Sequence, residues 1–155
     1  MTVRLGLTMG DPAGVGPDIA VTAWARRRRE AVPAFVVAGD AGLLAARAEA
    51  LGLDVPVECV ATPAQGGQAF PAALGVLHES LPCAVTPGQP AAQAAPAVIA
   101  AVERAVGLVM GGEARAIVTG PVNKKLLYDA GLPHPGHTEF LGALARAAGK
   151  PASPS

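Results

Sequence analysis

Short apolar runs alternate along the chain with stretches in which apolar residues recur every three or four positions. That pattern marks strands alternating with helices. Val3 to Thr8 reads as a strand running into a glycine-rich turn, and Pro17 suits the first turn of a helix reaching about Arg29. Ala34 to Ala38 reads as a buried strand. Asp40 is placed to cap a helix from about Ala41 to Leu51, with Gly52 as its stop. Val55 to Ala61 reads as another strand. Prolines and glycines then break the pattern from residue 62 to 96, which predicts loops with short strands around Ala73–Leu77 and Cys83–Val85. A long helix begins at Ala91 or Pro96 and runs to Met110, where Gly111 and Gly112 stop it. Ala114 to Thr119 is a strand, and Asn123–Ala130 and Thr138–Ala148 are helices. The fold class is therefore α/β with a largely parallel sheet, over residues 1–150, followed by an unstructured tail at 151–155.

Composition narrows the function classes. Of 155 residues, 51% are hydrophobic but only 3% aromatic, so the core is expected to be Val, Leu, Ile and Ala. Zero formal net charge gives no footprint for nucleic acid. No apolar run approaches the roughly 18 residues of a membrane span, and the start lacks the basic and apolar regions of a signal peptide. The expectation is a cytoplasmic protein with neither membrane nor nucleic acid as partner. Cys59 and Cys83 fit no Cys-x-x-Cys pattern and read as reduced, buried thiols. The basic run Arg26 to Arg29, at a predicted helix end, reads as a solvated face complementing the helix dipole.

Polar candidates gather where apolar strands run out. The loop Gly10-Asp11-Pro12-Ala13-Gly14-Val15-Gly16-Pro17-Asp18 starts like a dinucleotide fingerprint, but its third glycine position holds Ile19 and it has no P-loop lysine. What remains is a strand, a tight turn and a helix start, able to hold an anion or shape a cleft. Asp11 either orients a ligand or closes an Asx turn. Thr119-Gly120-Pro121-Val122-Asn123-Lys124 brings an amide and an ammonium to the end of a strand. There Lys124 meets a phosphate or carboxylate, or Asn123 caps the next helix and Lys124 is merely solvated. In Gly136-His137-Thr138-Glu139, Thr138 is a natural N-cap and His137 lies beside the electropositive helix end. His134 and His137 lack a third metal ligand nearby, and no residue is assigned to a metal. His78 reads as a surface residue without a partner.

Three of these stretches together, Gly10–Asp18, Thr119–Lys124 and Ala130–Leu141, resemble the 4-hydroxythreonine-4-phosphate dehydrogenase family of vitamin B6 biosynthesis over residues 3–150. The resemblance implies the α/β/α layers of the isocitrate and isopropylmalate dehydrogenase fold and a homodimer of two-domain subunits. It implies NAD- or NADP-dependent oxidation of the 3-hydroxyl of 4-phosphonooxy-threonine, then decarboxylation to an aminoketone phosphate, with a divalent metal (Zn, Mg or Co) polarising the hydroxyl and ketone. His137 and Thr138 match the family's substrate-binding pair; Asp11, Asn123 and Lys124 are expected to line the cleft. The catalytic and cofactor-binding residues are not assigned. Two departures are Asp18, where the family usually has Glu, and Asn123, where it often has His. The family's metal-binding histidines and most of its NAD site lie beyond the stretch matched here. Residues 1–150 are thus expected to be the N-terminal portion of the two-domain enzyme, in a chain of about half family length that is a truncated form. Two alternatives remain open: a D-threonate or D-erythronate 4-phosphate dehydrogenase, and a non-catalytic anion-binding fragment.

Overall fold

A computed structural model describes residues 5–81, 85, 88 and 92–120. Five parallel strands form one sheet in the order β3-β4-β2-β1-β5. The strands are β1 (Leu5–Thr8), β2 (Phe35–Gly39), β3 (Val57–Cys59), β4 (Leu74–His78) and β5 (Ala116–Thr119). Between them lie α1 (Gly16–Ala25), α2 (Ala41–Ala50), α3 (Pro63–Ala69) and α4 (Ala95–Met110), the last preceded by one 3-10 turn, Ala92–Ala94. The expected α/β/α layering is what the chain adopts. Among the described residues no helix is long and apolar enough to cross a membrane.

Strand β2 is buried at all five positions, as a central parallel strand covered on both faces must be. Side-chain alternation divides the core. Phe35 and Val37 join Ala20, Val21, Trp24, Leu44, Leu74 and Val76 under α1 and α2. Val36 points the other way, with Leu77, Leu108 and Ala114 under α3 and α4. Asp40 caps α2 as expected, its Oδ1 accepting from Leu43 N–H at 3.1 Å, while its Oδ2 accepts from Leu81 N–H at 2.9 Å.

The structure corrects four expectations. Helix α1 stops at Ala25 because the Arg27 guanidinium folds back over Trp24, 3.4 Å from the ring centroid. Arg27 also donates to the carbonyls of Trp24 (3.0 Å) and Pro71 (2.8 Å), so it is a clamp and not part of a solvated face. Burial, then the neighbouring Arg28, lowers its pKa from the ordinary value. Ala31 turns the chain with φ 52° before β2. Second, residues 63–69 are a helix where loop was expected. Thr62 Oγ1 caps it from Gln65 N–H at 3.2 Å, and Gly66 lets it lie flat on Gly75 of β4. Third, Cys59 is exposed, because β3 is a three-residue edge strand. Fourth, Val85 belongs to no strand. Residues 83 and 84, the helices expected at 123–130 and 138–148, and the tail at 151–155 lie outside the described residues.

Backbone packing at the end of β1 yields a sharp contrast between glycines. A Cβ on Gly16 would land on the Met9 carbonyl oxygen, whereas one on Gly107, within α4, would meet nothing within 4 Å. Gly16→Ala is expected to lower unfolding stability by roughly 2 kcal/mol or more through forced backbone displacement. Gly107→Ala is expected to raise it by about 0.5–1 kcal/mol through helix propensity. Urea unfolding of both variants checks the pair; equal effects would contradict this packing.

Candidate functional site at the end of the sheet

In an open parallel sheet, ligands bind outside the carboxyl ends of the strands, where strand order reverses. Here that point lies between β1, which leads through α1 to β2 on one side, and β5, which pairs with β1 on the other. The two strands end in register, Thr8 opposite Thr119. Two motifs more than a hundred residues apart in sequence therefore meet. Thr8 is 1% exposed, and both its carbonyl and its Oγ1 accept from Gly120 N–H, at 3.1 and 3.0 Å. A Cβ on Gly120 would come within 2.7 Å of the Thr8 oxygen and 2.8 Å of the Met9 oxygen. Only glycine permits that approach.

The loop from Gly10 to Gly16 then reverses direction into α1. Gly10 takes φ 76°, which favours glycine. Asp11 is buried; its Oδ1 accepts from Ala13 N–H at 2.9 Å and its carbonyl from Gly14 N–H at 3.0 Å. That is the Asx turn, the second of the two roles the sequence left open. The loop is covered on one side by Gly88, whose N–H donates to the Ala13 carbonyl at 2.8 Å. Val15 occupies the N-cap position of α1 and makes no side-chain cap. Asp18 instead bonds sideways to Arg47 of α2, Nε to Oδ1 at 2.7 Å and Nη2 to Oδ2 at 3.0 Å. Its carboxylate raises the Arg47 pKa above the ordinary value, chiefly through that hydrogen bond. Asn123, Lys124, His137 and Thr138 lie outside the described residues.

Sequence reading missed Thr8 and the Asp18–Arg47 pair. Thr8 looked like the last residue of an ordinary strand, and the ion pair joins positions on two different helices. His78 also needs correction. It is exposed but not partnerless: Nδ1 accepts from Ala41 N–H at 3.1 Å and Nε2 lies 2.9 Å from Ser80 Oγ. This is the spacing of a nucleophile and its base, but the protonation is wrong for it. With Nδ1 accepting, the neutral ring carries its proton on Nε2 and donates to Ser80, so it offers no lone pair to the hydroxyl. Among the described residues no group of three or more His, Cys, Asp or Glu side chains can hold a metal.

The comparisons with known proteins agree with this architecture. Residues 31–152 match the family described as pyridoxal phosphate biosynthetic protein PdxA. A 4-hydroxythreonine-4-phosphate dehydrogenase of Xanthobacter autotrophicus is 49% identical over 148 residues, covering 96% of this chain and 42% of the relative. The crystal structure of a 4-hydroxythreonine-4-phosphate dehydrogenase from Klebsiella pneumoniae superposes with TM-score 0.83 at 34% identity, over 94% of this chain and 45% of that one. A terephthalate 1,2-cis-dihydrodiol dehydrogenase from Burkholderia xenovorans LB400 superposes with TM-score 0.74 at 27% identity, over 98% of this chain and 42% of that one. This chain thus spans less than half the length of these relatives. With the family matched over most of its residues and the same fold in its structural relatives, the chain belongs to the pyridoxal phosphate biosynthetic protein PdxA family.

Proposed function

We propose that this chain is the amino-terminal portion of a 4-hydroxythreonine-4-phosphate dehydrogenase, and that the β1–β5 crevice forms one wall of its substrate site. The observation that carries the reading is the hydrogen-bonded meeting of Thr8 and Gly120, which joins the two glycine motifs at the sheet's switch point. The identity to the Xanthobacter relative supports it independently. In this reading the substrate is a small phosphorylated hydroxy-amino acid. His137 and Thr138 bind it, the imidazole and hydroxyl pairing with its polar groups. Asn123 and Lys124 follow Gly120 by three and four residues in sequence, and they line the mouth of the same crevice together with the loop that Asp11 holds in shape. The Lys124 ammonium supplies a positive charge for the phosphate or carboxylate.

The reaction in this reading is an NAD-dependent oxidation of the substrate's hydroxyl followed by loss of CO2, in a cytoplasmic homodimer. Among the described residues no group of three or more His, Cys, Asp or Glu side chains could hold a divalent metal, and Ile19 stands where a nicotinamide fingerprint has its third glycine, so no step is assigned to either group from this chain's own side chains. A second reading keeps the scaffold and changes the acid. The structural relative named for a terephthalate dihydrodiol indicates that this architecture accepts differently shaped acids, so a D-threonate or D-erythronate 4-phosphate dehydrogenase is the alternative substrate class.

Kinetics on a version extended to the relatives' length test both readings. His137→Ala is expected to lower kcat/KM at least about tenfold, a loss of ~1.4 kcal/mol of transition-state stabilisation. Unchanged kinetics in a folded variant would remove His137 from the site. Assayed side by side, 4-hydroxythreonine 4-phosphate is expected to be oxidised faster than D-threonate or D-erythronate 4-phosphate, which lack the amino group. The reverse order would favour the second reading, and turnover of none would count against both.

A further inference from the structure

Among the described residues three ion pairs occur, and they differ in kind. Arg29–Glu30 is a loose contact at 3.9 Å between exposed neighbours. Arg104–Glu79 makes a single contact at 3.2 Å. Asp18–Arg47 is a fork: two nitrogens on two oxygens, with side chains only 28% and 18% exposed. Such bidentate pairs fix geometry as well as charge. The pair joins the first turn of α1 to the last turn of α2, so each charge also complements the dipole of its own helix end.

Asp18 is the third residue of α1, the position from which an acidic side chain can fold back to cap its own helix. Arg47 takes both carboxylate oxygens instead, and Val15 supplies no cap. The start of α1 is therefore held from outside: by Gly16 pressed on the Met9 carbonyl, and by Asp18 tied to α2. The Asx turn of Asp11 braces the loop internally but ties it to nothing else.

We propose that Asp18 and Arg47 form a positioning pair that fixes the start of α1 against α2, and through it the Gly10–Gly16 loop that leads into α1, and so keeps the β1–β5 crevice in shape. The pair touches no substrate in this scheme and acts through the loop. Its relevance to catalysis rests on the function proposed above, but its effect on the loop does not.

Hydrogen exchange of the 155-residue chain tests this, comparing the segment containing residues 10–16 with the β4 segment 74–78 as an internal reference. Arg47→Ala and Asp18→Asn are each expected to speed exchange in the loop about tenfold while the β4 segment changes little. Asp18→Glu, which keeps the charge and reaches one methylene further, is expected to retain protection. Equal acceleration in both segments would reduce the pair to a general stabiliser and overturn the proposal, as would an unchanged loop. Should Arg47→Ala fail to fold, the near-isosteric Asp18→Asn carries the same comparison. Addition of 4-hydroxythreonine 4-phosphate separates the two ideas: a loop loosened by the variants but never protected by this compound leaves the positioning pair standing and counts against the proposed substrate.

Discussion

The carbonyl groups of Thr8 and Met9 lie so close to the backbones of Gly16 and Gly120 that no side chain fits between them. Much of the arrangement follows from that contact. It seats the start of α1 directly on the end of β1 and brings the end of β5 alongside. Gly120, at the end of β5, thereby sits against Met9, where the glycine loop begins. Thr8 reinforces the contact by offering Gly120 N–H two acceptors, its carbonyl and its hydroxyl. A buried amide with two acceptors is well satisfied, and a buried hydroxyl that accepts carries little of the cost of an orphaned polar group.

How much of this was readable from the sequence depended on range. Strands β2 and β4 were legible because both faces are covered and their residues are continuously apolar, up to the exposed His78 that ends β4. Asp40 was legible because capping is a local interaction. Helix α3 was not, since Gly66 and Gly67 look like breakers. Gly66 is there for closeness: a Cβ would sit 2.9 Å from Val36 Cγ2. The length of α1 was misjudged because Arg27 is retained by Trp24 and by Pro71, which is forty-four residues away. The glycine motifs could be seen as motifs, yet their meeting required the strand order. The Asp18–Arg47 fork required the crossing of two helices, which no periodicity reveals. The substrate-binding assignment of His137 and Thr138 came from resemblance, and their local pattern alone supports only a helix cap beside an imidazole.

Family membership and fold agree here, but they answer different questions. A parallel sheet with a reversal point supplies a crevice; it does not choose what enters. Relatives sharing this scaffold are named for a phosphorylated amino acid and for a terephthalate cis-dihydrodiol. What they share with this chain is the fold. Discrimination must then come from side chains arranged around that frame.

Trp24 is the chain's single tryptophan. Its ring lies under the Arg27 cation, and its Nε1–H donates to the Phe70 carbonyl at 2.9 Å, where α3 hands over to the turn before β4. One indole thus touches elements far apart in sequence, in a setting with a fixed charge above it and a fixed dipole at its edge. Its ultraviolet emission is a built-in optical gauge of whether that corner has closed, so assembly of this layer can be followed by light without attaching any dye.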